Sequence, residues 1–260
     1  LQPRAKDINL LTIFADKTKL RHELAYEMER EAGVAAHYCI ATHCRLNGAF
    51  DGIYNFVEDG DDVYLERAGL NKDGVLYKMY NNMLNPATDA VTGAEKKSRK
   101  FENNSDLYLF EVGMNLADAN ARKAFLFDNV DVPKMINFMA ANTVTGNVDL
   151  HAKNYYIYCD TGKTNLWTLL PWDLDLTFGP DALNTDTIVY SRNVPSSPAC
   201  ASHPFIGVRP WLLAGGKYDR LQEAIVANPR TRAMLVQHQE SASQAKVLEE
   251  HGHLDLIGEI

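Results

Sequence analysis

Residues 146–179, GNVDLHAKNYYIYCDTGKTNLWTLLPWDLDLTFG, decide how the rest of the chain is read. Tyr155 to Tyr158 suits a strand, Asp160-Thr161-Gly162-Lys163 a turn, and Leu166 to Leu170 a returning strand. A hairpin brings its two ends together, so residues before the first strand lie near those after the second. Before it stand Asn147, Asp149, His151 and Asn154. After it stand Asp173 and Asp175, set between Pro171-Trp172 and Phe178-Gly179. Such a hairpin gathers carboxylate and amide oxygens at one end, and hard cations such as Mg²⁺ and Mn²⁺ take oxygen ligands.

The order Asp149, Asn154, hairpin, Asp173 has the spacing of a protein-kinase catalytic loop. There an Asp precedes a metal-holding Asn by five positions, and a metal-holding Asp follows the hairpin. A lone D-x-x-x-x-N is a weak pattern. Here it sits within N-x-D-x-H-x-x-N-Y-Y over Asn147–Tyr156 and is followed by P-W-D-x-D-x-x-F-G over Pro171–Gly179. Together these resemble the CotH family, atypical kinases named after a spore-coat protein. Asn47-Gly48, Gly52-Ile53-Tyr54, Glu58 and Leu76-Tyr77-Lys78 extend the resemblance towards the N-terminus. It implies an α+β, atypical protein-kinase-like bilobal fold in a single domain, residues 1–260. A small β-rich N-lobe would occupy about residues 1–80, a linker about 81–105, and a larger helical C-lobe about 106–260. The implied activity is ATP-dependent phosphoryl transfer to Ser/Thr hydroxyls, with ATP and Mg²⁺ or Mn²⁺ as cofactors. The implied partner is a Ser/Thr-rich protein of a coat or surface, with the chain in a cell envelope, spore coat or secreted setting.

Composition restricts the alternatives. The chain has 260 residues, 46% hydrophobic and 23% charged, an ordinary make-up for a folded domain. A net charge of −8 argues against a nucleic-acid partner. No apolar run approaches the roughly 18 residues of a membrane span. The start at Leu1, without a signal-peptide pattern, suits a mature form or an excised domain. The four cysteines contain no C-x-x-C pair, so zinc is not expected. Free thiols are the expectation, and a Cys39–Cys44 disulfide requires both to face the same way.

Along the chain, Ile8–Phe14 reads as a strand and Asp16 as the cap of a helix over 17–31, with Leu20, Leu24, Ala25 and Met28 as its apolar stripe and Gly33 at its end. Cys39–Arg45 and Gly52–Glu58 form a hairpin about Asn47-Gly48. Val63–Arg67 and Val75–Tyr80 read as strands, and Asn81–Asn104 as a polar linker whose run Lys96-Lys97-Ser98-Arg99-Lys100 is a solvated face, against a role in drawing in an acidic substrate or phosphates. Asp106–Val112, Ala119–Phe127 and Val132–Thr145 read as helices, the last capped by Asp131. Pro180–Pro210 is a long loop, and helices return in Trp211–Leu213, Tyr218–Ala227 and Pro229–Glu249.

Each candidate has a structural counterpart. Asp149 is the general base or hydroxyl-positioning residue, against a turn or capping Asp. Asn154 is a metal ligand, against a loop Asn bonded to its own backbone. Asp173 and Asp175 are metal ligands; two apart in an extended segment, they leave the same face. Lys78, alone in an apolar strand, contacts nucleotide phosphates as a point charge, against an outward-facing lysine. Glu58 orients that lysine, against a surface charge. His151 is a structural loop residue, against a catalyst, Asn147 a weak candidate, and Trp172 and Phe178 packing anchors. Two rival functions are an inactive structural or adhesion module and a metal-dependent glycosyltransferase, in which Asp173-Leu174-Asp175 serves as a D-x-D motif.

Overall fold

A computed structural model of the chain describes residues 4–147, 153–178, 220–239 and 241. It is an α+β structure with two antiparallel sheets. Strands β1 (Ile8–Leu11), β2 (Cys39–Leu46) and β3 (Ala49–Glu58) form the first, ordered β1-β3-β2. Strands β4 (Val75–Met79), β5 (Ala94–Lys96), β6 (Tyr155–Cys159) and β7 (Trp167–Pro171) form the second, ordered β5-β4-β6-β7.

The second sheet is the middle layer. All side chains of β6 and β7 are buried, as a sheet covered on both faces requires. On one face Tyr77, Met79, Tyr155, Ile157 and Leu169 pack with residues of α4 (Ser105–Met114), α5 (Ala119–Asn129), α6 (Val132–Val144), α7 (Arg220–Ala227) and α8 (residues 229–239). On the other, Leu76, Tyr156, Tyr158, Leu170 and Trp172 pack with residues of the first sheet, α1 (Arg21–Glu31) and α2 (Asp62–Arg67). Burying a side chain such as Leu169 contributes about 1.5–3 kcal/mol. Two of these tyrosines pair their hydroxyls: Tyr155 donates to Asn81 O at 2.6 Å and Tyr77 to Asp106 Oδ1 at 2.5 Å.

The β2–β3 hairpin turns at Asn47 and Gly48, with φ of 51° and 85°, the positive values this turn needs. Gly33 follows α1 at φ 78°, and its N–H and that of Val34 close on the last turn. Asp131 caps α6 by accepting from the Lys134 N–H.

Five local expectations are corrected. The first strand ends at Leu11, before Ile13 at φ 40°. Asp16 accepts from the N–H groups of Thr18 and Arg21, so it serves a turn ahead of α1 and the helix starts only at Arg21. The buried side of α1 is His22, Ala25, Tyr26 and Glu29, while Leu20 and Leu24 are exposed. Val63–Arg67 is helical: Asp61 accepts from the Tyr64 N–H at 2.9 Å, and this cap outweighs the β-forming run it precedes. Asn81–Asn104 carries α3 (Pro86–Thr92) and β5, and its basic run is not a solvated face. The Lys96 and Lys97 side chains are only 7% and 13% exposed, Lys96 pairs with Glu102 and Asp106, and buried Ser98 hydrogen-bonds to Gly74 and Leu76.

Cys39 and Cys44 are free. Five positions apart on one strand, they face opposite sides, which rules out a bond between them. No described helix is long and apolar enough to cross a membrane. The expected loop over Pro180–Pro210, the helix at Trp211–Leu213 and Cys200 lie outside the described residues.

Candidate active site

Three strands of the second sheet end together. Met79 pairs with Tyr155, which pairs with Pro171. Asn154 precedes that row and Trp172 follows it, and the Trp172 N–H donates to the Asn154 carbonyl at 3.3 Å. The segments carrying Asn154 and Asp173 are therefore neighbours, as the hairpin reading expects.

The backbone here is unusual. Asn154, Asp173 and Phe178 take φ of 65°, 58° and 58°. Asn and Asp tolerate the left-handed region better than other side chains, yet each such residue needs outside support. Asn154 receives the Trp172 N–H, the Asp173 N–H donates to the Tyr26 hydroxyl at 3.1 Å, and the Phe178 N–H donates to Thr145 O at 2.7 Å. Asp173 is thus not extended, so strand alternation does not place it and Asp175 on one face. Both are half-buried.

Lys78 lies in register with Glu95 on one side and Tyr156 on the other. Its Nζ sits 4.5 Å from the centroid of the Trp172 ring and 5.8 Å from that of Tyr80. Burial lowers its pKa, with Lys97 acting in the same sense and Glu95, Asp173 and Asp59 opposing. Around it, Lys97 Nζ is 3.1 Å from Asp59 Oδ2 and 3.5 Å from Glu95 Oε1. The Tyr80 hydroxyl donates to Glu95 Oε2 at 2.7 Å. Burial opposes the charge on Lys97, but its hydrogen bond with Asp59 prevails and raises its pKa.

Glu58 does not take the place expected of it. Its carboxylate receives the Arg67 Nε at 2.7 and 2.8 Å, with Arg67 Nη2 at 2.6 Å from Oε2. Only 2% of the Glu58 side chain is exposed, so it is neither a surface charge nor the partner of Lys78. Arg67 is planar and forked and fits a carboxylate at two points; an ammonium does not.

Asp149 and His151 lie outside the described residues. Asn147, at the near end of that loop, is buried; its side chain donates to Asn142 Oδ1 at 2.8 Å and its N–H to Asn142 O at 2.9 Å. Its role is to fix where the loop leaves α6. Trp172 is an anchor, stacked edge-on against Tyr156 and His37, and also the platform under Lys78. Sequence reasoning missed Tyr26, Asp59, Glu95 and Lys97. Glu95 lies on a short strand paired with Lys78 and Lys97 follows directly after that strand, a signal hidden in a stretch that reads as linker. Nothing local marks Tyr26 or Asp59.

A family model described as CotH kinase protein matches residues 2–207. The chain belongs to the CotH kinase family. It is 28% identical over 189 residues to the inner spore coat protein H of Bacillus subtilis (strain 168), an alignment covering 68% of this chain and 51% of that relative. The chain therefore spans about half the length of that spore-coat protein. The CotH match includes the whole hairpin and both motifs that flank it.

The donors of this CotH site suit a hard cation. Asn154 offers an amide oxygen, Asp173 and Asp175 two carboxylates. Among the described residues no three His, Cys, Asp or Glu side chains are grouped to hold a metal alone. Mg²⁺ at nucleotide sites uses one or two carboxylates and completes its shell with phosphate oxygens and water. The residues present fit that kind of cation.

Proposed function

We propose that this chain is an ATP- and divalent-metal-dependent protein kinase acting on Ser or Thr hydroxyls. The observation that carries the proposal is the hairpin end itself, where the Trp172–Asn154 hydrogen bond sets Asn154 beside Asp173 and Trp172 carries the Lys78 ammonium. Asn154 and Asp173, with Asp175 nearby, would hold Mg²⁺ or Mn²⁺, which when bound neutralises phosphate charge. Lys78, part desolvated and facing Asp173, is suited to bind phosphate oxygens as a point charge. Asp149 orients the acceptor hydroxyl and takes its proton. The small sheet with α1 and α2 on one face of the middle sheet, and the helices on the other, support a bilobal kinase-like reading. Similarity to an inner spore coat protein supports a coat or envelope location, and the acceptor we propose is a Ser/Thr-rich protein of that coat or surface.

The test is transfer from γ-labelled ATP to Ser-rich and Thr-rich proteins, and to the chain itself, with and without Mn²⁺ or Mg²⁺. A labelled sugar nucleotide is run in parallel. Label that comes from ATP only when metal is present is the expected result. Mn²⁺–ATP binding without transfer to any acceptor points instead to an inactive module, and sugar transfer to a glycosyltransferase.

A further inference from the structure

We infer that helix α1 sets the conformation of the Asp173 turn through the Tyr26 hydroxyl, and so controls whether the turn is shaped for metal–nucleotide binding; that consequence rests on the reading proposed above.

β7 ends at Pro171, so the sheet ladder does not reach the Asp173 N–H. Its acceptor is the phenol of Tyr26, 147 residues away in sequence, at 3.1 Å. Asp173 sits at φ 58°, a left-handed conformation that is strained for an L-residue and persists only when its surroundings hold it. Tyr26 is suited to hold it. The side chain is fully buried, its ring stacked on His22 at 4.9 Å and edge-on to His37 at 5.7 Å.

The helix carrying Tyr26 is itself moored to the small sheet. Glu23 Oε2 accepts the Ala41 N–H at 2.8 Å, and Arg30 donates to His37 O at 2.6 Å. A hydrogen bond fails beyond about 3.5 Å. A small displacement of α1 on its sheet therefore releases the Asp173 N–H and removes one of the restraints on its left-handed backbone. Asn154 and Phe178 are restrained by other groups, the Trp172 N–H and the Thr145 carbonyl, so α1 acts on Asp173 in particular.

The experiment compares the parent, Tyr26→Phe and the exposed control Glu27→Ala. Amide hydrogen exchange over residues 172–178 and Mn²⁺–ATP titration calorimetry are the two readouts. Loss of one neutral hydrogen bond is worth about 1 kcal/mol, a factor of about 5. Tyr26→Phe should speed exchange in the turn by about that factor, leave β6 protected, and weaken Mn²⁺–ATP binding about 5-fold or more; Glu27→Ala should change neither. Unchanged exchange overturns the inference, as does faster exchange with parental affinity. If Tyr26→Phe loses its cooperative melt, Glu23→Ala, which loosens α1 from Ala41, takes its place with the same expected directions. A parent that binds no Mn²⁺–ATP defeats the kinase reading instead, and the exchange comparison alone then decides the tether.

Discussion

At Lys78 two opposed effects meet. Burial against Trp172 disfavours the ammonium and lowers its pKa, while Glu95, Asp173 and Asp59 act the other way. A cation held this way is short of hydration and gains most from an anionic ligand. Lys78→Ala should therefore weaken Mn²⁺–ATP binding by about 1.5–3 kcal/mol, the range for a charge-assisted contact, and leave the melting transition cooperative. Parental affinity by calorimetry would remove the assignment. The two aspartates separate by role. Asp173→Asn takes a negative ligand from a hard cation, so Mn²⁺–ATP affinity and transfer should fall together. Asp149→Asn should leave nucleotide affinity near parental and slow transfer by about 10²–10⁴-fold. Equal loss of nucleotide binding in both would make Asp149 a metal ligand.

At the scale of elements, α2 replaces an expected strand and thereby places Arg67 on Glu58. The pair is nearly sealed from water, and Arg67 also donates to Ala36 O at 3.0 Å and lies 4.4 Å over the Tyr38 ring. Removing one member of such a pair leaves the other charge buried without compensation. Glu58→Ala should destabilise the chain by about 3–5 kcal/mol in denaturant unfolding. The surviving folded fraction should bind Mn²⁺–ATP as the parent does, because the carboxylate serves α2 and not the nucleotide lysine. A Glu58→Ala chain of parental stability but poor nucleotide affinity would return Glu58 to the site.

For the whole molecule, buried titratable groups on either side of the middle sheet set the pH response. His22 and His37 are fully buried, and burial lowers both to about 3 from 6.5. The unfolded chain binds those protons first, so stability falls as pH drops from about 6.5 towards 3. Burial raises Glu111 from 4.5 to about 8 and holds Glu29 well above its ordinary value. The folded chain keeps those protons longer, so stability falls as pH rises from about 4.5 towards 8. Each group contributes about 1.4 kcal/mol per pH unit within its window. Two opposing pairs overlap between 4.5 and 6.5, and maximal stability belongs there. Urea unfolding across pH should show it, and Glu111→Gln should flatten the alkaline fall. Higher stability at pH 8 than at pH 6 would contradict the arrangement.

Periodicity and turn chemistry by themselves determined the β2–β3 and β6–β7 hairpins, β4, and helices α4 to α6, because their signals are local: Asn47-Gly48 forces a turn and Asp131 caps a helix. The same hairpin logic places Asn154 beside Asp173, where the Trp172–Asn154 hydrogen bond holds it. Helix α2 was not legible, since Val63-Tyr64-Leu65 suits a strand until Asp61 closes on the Tyr64 N–H. Nor was β5, too short to show a period against polar neighbours. The left-handed turn at Asp173 was hidden for a different reason. An Asp in that position is strained on its own, and what holds it is the Tyr26 phenol on α1 together with the close of the β6–β7 hairpin. Which carboxylate meets Lys78 was likewise set only in three dimensions: Glu58 went to Arg67, whose fork fits a carboxylate better than an ammonium, and the sheet register brought Glu95 to the lysine instead.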